Sequence, residues 1–349
     1  MRIIDLFSGV GGLTFGFYYR KYKDHFVRNR KNQFVFANEY NPLAAKAYSE
    51  NYPDIPMKNC DIKSLKESDI KEWIGSEPVD LMIGGPPCQS FSTVGQRNYD
   101  EKAQLYTEYL RVLKIARPKM FLFENVRGIL SMREIFYKRD AAGNILYELK
   151  DVEGRESLTP RKKPVIDHYG KSVMEILNDQ FSNLGNGLGY NIWTERLNAM
   201  DYGVPENRER VFIVGIRNDL NLKWNCPPKE KSAHLTIKDA ISDLPEVLEG
   251  QSISSYQQLP QNKYQELMRH GSNELTQHFC GCYSEKIRAV IQHVKQGEGK
   301  NEFNALVDSG KIDKSYRLTS GYANTYGRLI ADQPSPTITN NLTTVSSLR

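Results

Sequence analysis

Residues 2–12 read RIIDLFSGVGG, and this stretch decides the fold of the chain. An apolar run, Ile3–Phe7, is broken only by Asp5 and is followed at once by a turn that contains three glycines. A short run of this kind is typical of a strand buried on both faces. A glycine turn after such a strand lets backbone amides approach a ligand closely. The stretch therefore predicts a strand, a tight turn and a helix, with a ligand site where the strand ends.

Further apolar runs of similar length alternate with helical periodicity along the next two hundred residues. The strand candidates are Phe34–Ala37, Val79–Ile83, Met120–Phe123 and Val211–Ile216, and the helix candidates include Leu43–Asn51 and Tyr106–Ala116. This alternation predicts an α/β fold with a doubly wound, largely parallel sheet. A mixed α+β domain is the alternative. Beyond Ile216 the chain becomes polar and the alternation weakens, which predicts a second, smaller domain over residues 217–349.

Two charged segments interrupt this pattern, at residues 18–33 and about 131–171. Each is interpreted as a solvated surface insertion, and the functional alternative is extra contact to a phosphate backbone.

The composition is that of an ordinary globular protein, with 39% hydrophobic and 26% charged residues among 349. Forty-seven Lys and Arg against 42 Asp and Glu give a net charge of +5, which permits a polyanionic partner without demonstrating one.

Asp5 interrupts any signal-peptide pattern, and no apolar run approaches the length of a membrane span. The sequence therefore predicts a cytoplasmic protein with no membrane association.

The five cysteines include no C-x-x-C pair. The spacing of His278, Cys280, Cys282 and His293 does not match the usual zinc patterns, so no metal is expected.

Two acidic residues follow later segments of the predicted sheet. Glu39 comes after the Phe34–Ala37 strand, where a carboxylate can hold the hydroxyls of a ribose. Asp61 follows a third segment and is placed to accept from an adenine amine. No glycine-rich loop ends in Lys-Ser or Lys-Thr, which argues against ATP. Together with the first turn, these acids predict a cofactor that carries adenosine.

The second block of chemistry is Gly84–Ser92, which reads GGPPCQSFS after an apolar strand. Cys88 follows two rigid prolines at the carboxyl end of that strand, the edge where open α/β sheets bind ligands. A buried, inert cysteine is the alternative, and the flanking glycines and polar residues favour an exposed thiol. Cys88 is therefore the candidate nucleophile.

Two further blocks complete the set. Glu124 and Asn125 follow the Met120–Phe123 strand, and GVPENRER (residues 203–210) runs directly into the Val211–Ile216 strand. Arg208 and Arg210 would point to the same side of one extended strand, as paired guanidinium groups do when they address a phosphate or carboxylate.

Taken in this order, the four blocks resemble the DNA (cytosine-5-)-methyltransferase family, from residue 2 to about residue 216. The resemblance implies a Rossmann-like, S-adenosylmethionine-dependent methyltransferase fold over residues 1–216 and a target-recognition domain over residues 217–349. It implies S-adenosylmethionine as cofactor, S-adenosylhomocysteine as product, and double-stranded DNA as partner. The protein would be nucleoid-associated when bound to DNA. The implied cofactor-binding residues are Phe7, Gly9, Gly11, Gly12, Glu39, Asp61, Ile62, Pro86 and Leu105.

The resemblance also implies a mechanism. Cys88 would add to C6 of a flipped-out cytosine, Glu124 would hydrogen-bond N3 and the exocyclic amine, and Arg208 and Arg210 would orient the base. The implied modification belongs to a restriction-modification system. The implied contacts to DNA or to the base are Gln89, Ser90, Ser92, Arg97 and Asn125.

The sequence departs from the family pattern in two places. Glu206 stands where the family usually has glutamine. The closing helices of the family's catalytic domain are expected after the last residues and are absent, which predicts truncation or a second polypeptide that supplies them, and little activity from this chain alone. Three alternatives to this function are considered. The first two are a tRNA cytosine-5 methyltransferase and a non-catalytic DNA-binding subunit of a split methyltransferase. The third is an NAD-dependent oxidoreductase, which fits the glycine turn alone.

Overall fold

The computed structural model describes residues 1–23, 25–87, 105–150, 161–319 and 325–338, with the side chains of residues 149, 150 and 161–163 left aside. The chain divides into two compact units. The first unit contains residues 1–20, 28–196 and 210–226, and the second contains residues 21–27, 197–209 and 227–349. Most of the second unit therefore follows residue 226, and the unit also includes residues 203–209 of the GVPENRER block.

The strands and helices follow in chain order. The strands are β1 (Arg2–Leu6), β2 (Tyr19–Tyr22), β3 (His25–Arg28), β4 (Gln33–Asn38), β5 (Met57–Lys58), β6 (Leu81–Gly84), β7 (Met120–Val126), β8 (Arg133–Tyr137), β9 (Tyr147–Lys150), β10 (Arg161–Pro164), β11 (Ile166–Ser172), β12 (Tyr190–Asn198), β13 (Glu206–Asn207), β14 (Glu209–Arg217) and β15 (Ser335–Pro336). The helices are α1 (Gly12–Tyr18), α2 (Pro42–Asn51), α3 (Glu67–Ile74), α4 (Tyr106–Ala116), α5 (Val173–Ser182), α6 (Ile237–Ile241), α7 (Lys263–Arg269), α8 (Glu285–His293) and α9 (Lys300–Asp308).

A seven-stranded sheet forms the centre of the first unit, in the order β12-β14-β7-β6-β1-β4-β5. β1 pairs in parallel with both β4 and β6, β6 pairs in parallel with β7, and β4 with β5. The predicted α/β class is confirmed. One direction differs from the expectation, because β14 runs antiparallel to β7. An apolar run is buried equally well in either direction, so its composition does not determine the direction of the strand.

Both faces of the sheet are buried, which explains why its strands are apolar rather than alternating. Ile4 and Leu6 of β1 belong to the large core beside α4 and α5, whereas Ile3 of the same strand packs with Tyr48 and Tyr52 on the opposite face. This division follows the two-residue period of a strand. The core therefore fixes β1 from both sides and holds the turn that follows it.

The turn after β1 depends on glycine. Gly9 and Gly11 have φ angles of +56° and +94°, which L-residues with a side chain rarely adopt. The Tyr52 hydroxyl donates a hydrogen bond of 2.9 Å to the carbonyl oxygen of Gly11, and a β-carbon on Gly11 would overlap the Tyr52 ring. The turn is therefore held by a close approach that only glycine permits.

Asp5 is buried beneath this turn. The Thr14 hydroxyl donates to its Oδ2 and lies 2.8 Å from the Tyr48 hydroxyl, while Oδ1 has no hydrogen-bond partner within the described part of the chain. Burial raises the pKa of Asp5 to about 7, with the Thr14 hydrogen bond opposing and the charge of Glu39 adding to the effect. A titratable carboxyl group thus lies in the core between β1, α1 and α2.

The two charged insertions have regular structure. In the first insertion, residues 18–33, β2 pairs with β3. In the second insertion, β8 pairs with β11 and β9 pairs with β10, both antiparallel. In the described part of the second unit, the regular structure consists mostly of the short helices α6–α9. This unit has a core of its own, formed by Val290, Val294, Phe303, Val307, Ile312 and Leu318. In the described residues, no helix has the length and hydropathy that a membrane crossing requires.

Replacing Gly11 with alanine should destabilise the protein by about 2–4 kcal/mol, because strain at positive φ adds to the clash with Tyr52. Gly9→Ala is the matched control, since a β-carbon there meets no atom within 4 Å. It should cost only about 1 kcal/mol, the strain alone. Urea unfolding midpoints measure both variants, and equal losses would show that the Tyr52 contact does not hold the turn.

Asp5→Asn should change how stability depends on pH. The folded protein keeps a proton on Asp5 that the unfolded chain releases near its ordinary pKa of about 4. Stability should therefore fall as pH rises from about 4 to about 7, by at most about 1.4 kcal/mol per pH unit. The variant lacks this term, so its free energy of unfolding relative to wild type should rise over that interval. Identical pH profiles would show that Asp5 titrates normally.

Candidate active site

A cleft of about 490 Å³ opens where the parallel strands of the first unit end. It is lined by Phe7, Asn38, Glu39, Tyr40, Asp61, Ile62, Lys63, Gly85, Pro87 and Leu105. Five residues named from the sequence lie here together, although they are up to 98 positions apart: Phe7, Glu39, Asp61, Ile62 and Leu105. Sequence reasoning missed Tyr40 and Lys63, which directly follow Glu39 and Ile62.

Glu39 connects two elements at this edge. Its Oε2 accepts a hydrogen bond of 2.9 Å from the Gly9 amide, and its Oε1 accepts one of 2.7 Å from the Asn41 amide. Asn41 in turn caps α2 by accepting from the amides of Leu43 and Ala44. The carboxylate is thereby held in place at the wall of the cleft, half-buried, between the first turn and the start of α2.

Asp61 and Ile62 form the next part of the wall. Asp61 is exposed, and its Oδ1 accepts a hydrogen bond of 2.9 Å from the Lys63 amide, which caps a short 3₁₀ helix, Ile62–Ser64. Ile62 is buried with its side chain in the main core. The cleft therefore combines two carboxylates with the apolar surfaces of Phe7, Ile62 and Leu105.

The glycines of the first turn have a different position. Gly9 donates its amide to Glu39, Gly11 accepts from Tyr52, and Gly12 begins α1. The three glycines shape the turn beside the cleft and are not among its lining residues.

The loop that leads toward Cys88 is tied to β7. The Asn125 side-chain amide donates to the Pro86 carbonyl oxygen at 3.4 Å, and Asn125 and Pro86 are both buried. A β-carbon on Gly85 would come within 2.9 Å of Glu124 Oε2, so the loop backbone lies close to that carboxylate. Several predicted residues lie outside the described part of the chain: Cys88, Gln89, Ser90, Ser92 and Arg97.

Glu124 forms an ion pair with Arg210 across β7 and β14. Arg210 Nε lies 2.9 Å from Glu124 Oε1, and both side chains are largely buried, with 18% and 23% of their surface exposed. Arg210 is directly opposite Val126, and Glu124 is opposite Phe212, so the pair is a diagonal contact on one face of the sheet. The guanidinium group orients the carboxylate at the edge where β7 ends.

Arg208 lies in the second unit, between β13 and β14. The sequence predicted one extended strand from Arg208 to Arg210, but the strand is interrupted at Arg208. The reason lies in the backbone, since the Arg208 amide donates to Asn198 Oδ1 at 3.0 Å and its carbonyl oxygen accepts from the Ala199 amide. Arg208 Nη1 lies 3.4 Å from Glu206 Oε1.

Glu206 is held by a second contact as well. Its Oε1 accepts a hydrogen bond of 2.9 Å from the Ile338 amide, next to the parallel pairing of β13 with β15. The carboxylate at the position where the family has glutamine is thus engaged within the second unit.

The described residues contain no group of three or more His, Cys, Asp or Glu side chains that is arranged to hold a metal ion. His278 and His293 instead form hydrogen bonds with backbone carbonyl oxygens, those of Pro245 and Ala289.

The set of donors and acceptors in the cleft fits a nucleoside. Carboxylates at Glu39 and Asp61 can accept from ribose hydroxyls and an exocyclic amine, and the apolar surfaces of Phe7, Ile62 and Leu105 can contact a base. The cleft volume lies within the range of small-molecule sites, about 300–1,000 Å³.

Comparisons with known proteins identify one family. The family model for C-5 cytosine-specific DNA methylases matches residues 1–152 and 163–342. Type II methyltransferase M.DdeI of Desulfomicrobium norvegicum is 34% identical over 305 residues, which cover 85% of this chain and 62% of the relative. M.NgoPII of Neisseria gonorrhoeae is 34% identical over 249 residues, covering 70% of this chain and 57% of the relative. The chain thus spans about three fifths of the length of these relatives.

One solved structure shares the fold. A prophage-encoded DNA modification methyltransferase from E. coli superposes with a TM-score of 0.62 at 22% identity, covering 97% of this chain and 82% of that one. The comparisons give no support for a second polypeptide. The family match covers most of the sequence, and the chain belongs to the C-5 cytosine-specific DNA methylase family.

Proposed function

We propose that this protein transfers a methyl group from S-adenosylmethionine to C5 of cytosine in a specific sequence of double-stranded DNA, as the modification enzyme of a restriction-modification system. One observation supports this most directly. The cleft with Glu39 and Asp61 includes Gly85 and Pro87, and a β-carbon on Gly85 would lie 2.9 Å from Glu124 Oε2, so the same loop runs beside Glu124. Cofactor and base would therefore meet at one edge of one sheet.

The residues that would hold the cofactor are those of the cleft. Glu39 would accept from the ribose hydroxyls and Asp61 from the adenine amine, while Phe7, Ile62 and Leu105 contact the ring. Gly9, Gly11 and Gly12 would keep the first turn close to the cofactor, and Pro86 would connect the two sites. S-adenosylmethionine, when bound, supplies a methyl group on a sulfonium, and S-adenosylhomocysteine leaves as product.

The target carbon explains the need for a nucleophile. C5 of an aromatic cytosine reacts poorly with a methyl sulfonium, so the Cys88 thiolate would first form a bond to C6 and make C5 electron-rich. After C5 has received the methyl group, a proton acceptor removes the C5 proton. The bond between Cys88 and C6 then breaks, which restores the aromatic ring and the thiolate. The base must leave the duplex to reach the thiol, at a cost of a few kcal/mol.

Glu124 and the arginines would stabilise the base as its charge changes. Glu124 would hydrogen-bond N3 and the exocyclic amine, and Arg210 is already aligned with that carboxylate. Arg208 would also orient the base, and we propose that the second unit is the target-recognition domain. Asn125 supports the loop through Pro86 and would also contact the base or the DNA. The other residues proposed to make such contacts are Gln89, Ser90, Ser92 and Arg97.

Covalent trapping tests the role of Cys88. Duplex DNA that contains 5-fluorocytosine should form a denaturation-resistant adduct with the protein when S-adenosylmethionine is present, because the C5 fluorine, unlike a proton, cannot be removed as a cation and the thiolate of Cys88 then cannot be eliminated. Cys88→Ser should abolish the adduct and methyl transfer while duplex binding remains. Cys226→Ser, at an exposed cysteine, is the matched control and should leave trapping unchanged. An adduct that survives Cys88→Ser would refute this nucleophile, and trapping on transfer RNA in place of duplex DNA would favour the RNA substrate.

Glu39→Gln should weaken binding of S-adenosylmethionine about 10- to 100-fold, since a charged hydrogen bond contributes about 1.5–3 kcal/mol. Isothermal titration calorimetry measures the affinity. Glu50→Gln on α2 removes the same charge at an exposed position and should leave it unchanged. An unaltered affinity in a folded Glu39→Gln protein would place the ribose elsewhere. The urea midpoint without cofactor separates a binding defect from loss of the Gly9 contact.

A further inference from the structure

The charged segment that follows β7 builds a projecting structure, which we call the β-arm and define as residues 133–150 and 161–172. Its base is closed at the core, where the Val173 amide donates to the Met132 carbonyl oxygen at 2.9 Å and both side chains are buried. Only a short 3₁₀ helix, Arg127–Ser131, separates it from β7. The β-arm therefore starts from the same sheet edge that carries Glu124.

Two successive ladders extend the β-arm away from this base. β8 pairs with β11 from Arg133 opposite Ser172 to Tyr137 opposite Ile166, and β9 then pairs with β10. Hydrogen bonds join the ladders, from the Lys138 amide to Val165 and from the Leu146 amide to Lys138. At about 3.3 Å per residue, the chain extends about 17 Å from Arg133 to Lys138.

The β-arm has no core of its own. None of the described side chains in residues 133–148 and 164–172 is buried. Isolated two-stranded ribbons are marginally stable in water, and they gain stability by packing on another surface. A defined structure without buried side chains points to an external surface that the β-arm contacts.

The exposed side chains are aromatic and basic. Phe136 and His168 stack across the first ladder with ring centroids 4.5 Å apart, and Tyr147 and Tyr169 are 57% and 59% exposed. Lys138 and Arg139 are exposed where the two ladders meet. The sequence of β10 adds Arg161–Lys163.

The charge balance favours a polyanion over a protein surface. The β-arm carries eight Lys and Arg against four Asp and Glu, whereas the intervening residues 151–160 carry one against three. A two-stranded β-ribbon fits the major groove, which is about 12 Å wide, and basic side chains along it reach the phosphates.

We propose that the β-arm lies along duplex DNA beside the target site and contacts its phosphates through Lys138 and Arg139. This inference rests on the proposed function, since it assumes a DNA substrate. It assigns DNA contacts to the first unit in addition to those of the target-recognition domain, and it gives the charged insertion a role in affinity rather than in sequence choice.

Equilibrium binding tests this role with a mixed-sequence duplex of about 40 base pairs over a series of salt concentrations, which needs no knowledge of the recognition sequence. The double variant Lys138→Gln/Arg139→Gln should bind about tenfold more weakly at low salt. It should also lower the slope of log affinity against log salt by about 1–2, the value for one or two lost phosphate contacts.

Lys46→Gln/Lys114→Gln is the matched control, because it removes the same charge from exposed positions on α2 and α4. Its affinity and salt slope should stay close to wild type. An unchanged slope in the β-arm variant, or equal losses in both variants, would overturn the proposal.

The two proposals fail separately. If the protein binds duplex DNA through the β-arm and 5-fluorocytosine is never trapped, the proposed reaction is wrong and the contact surface stands. If trapping succeeds and the β-arm variant binds as wild type, the proposed reaction stands and the contact surface is wrong.

Discussion

The parallel pairing of β1 with both β4 and β6 is the constraint on which the site depends. Because parallel strands end at the same edge of a sheet, this pairing gathers residues that are far apart in the sequence. It places Phe7, Glu39, Gly85 and Pro87 around one cleft, with the glycine turn beside it. The burial of β1 from both faces keeps the turn in position, and Tyr52 and Glu39 fasten it with hydrogen bonds.

The antiparallel direction of β14 places Arg210 beside Glu124, which a parallel strand could not do. Its amino-terminal end meets the carboxyl end of β7, so Arg210 lies opposite Val126 and beside Glu124. A parallel strand would have placed its other end, near Ile216, at this edge. The ion pair between Glu124 and Arg210 is therefore a consequence of sheet topology, and the β-arm departs from the same edge a few residues later.

The sequence predicted the sheet and much of the cleft for physical reasons. Buried strands are short apolar runs, and a strand end followed by an acid or a glycine turn marks a binding edge, which identified Glu39 and Asp61. Phe7, Ile62 and Leu105 came from the resemblance to the family. Strand direction, the interruption at Arg208 and the burial of Asp5 depend on tertiary contacts that no local pattern contains. Cys88 lies outside the described residues, and its role rests on the family pattern and on the loop that Asn125 holds.

Tritium release tests the central claim most directly, that methyl transfer takes place at C5 of cytosine. Duplex DNA with tritium at C5 of cytosine would be incubated with the protein and S-adenosylmethionine carrying a labelled methyl group. The account predicts that one tritium is released to water for each methyl group that the DNA gains, and that Cys88→Ser abolishes both. Methyl incorporation without tritium release would show that another atom is methylated and would contradict the account.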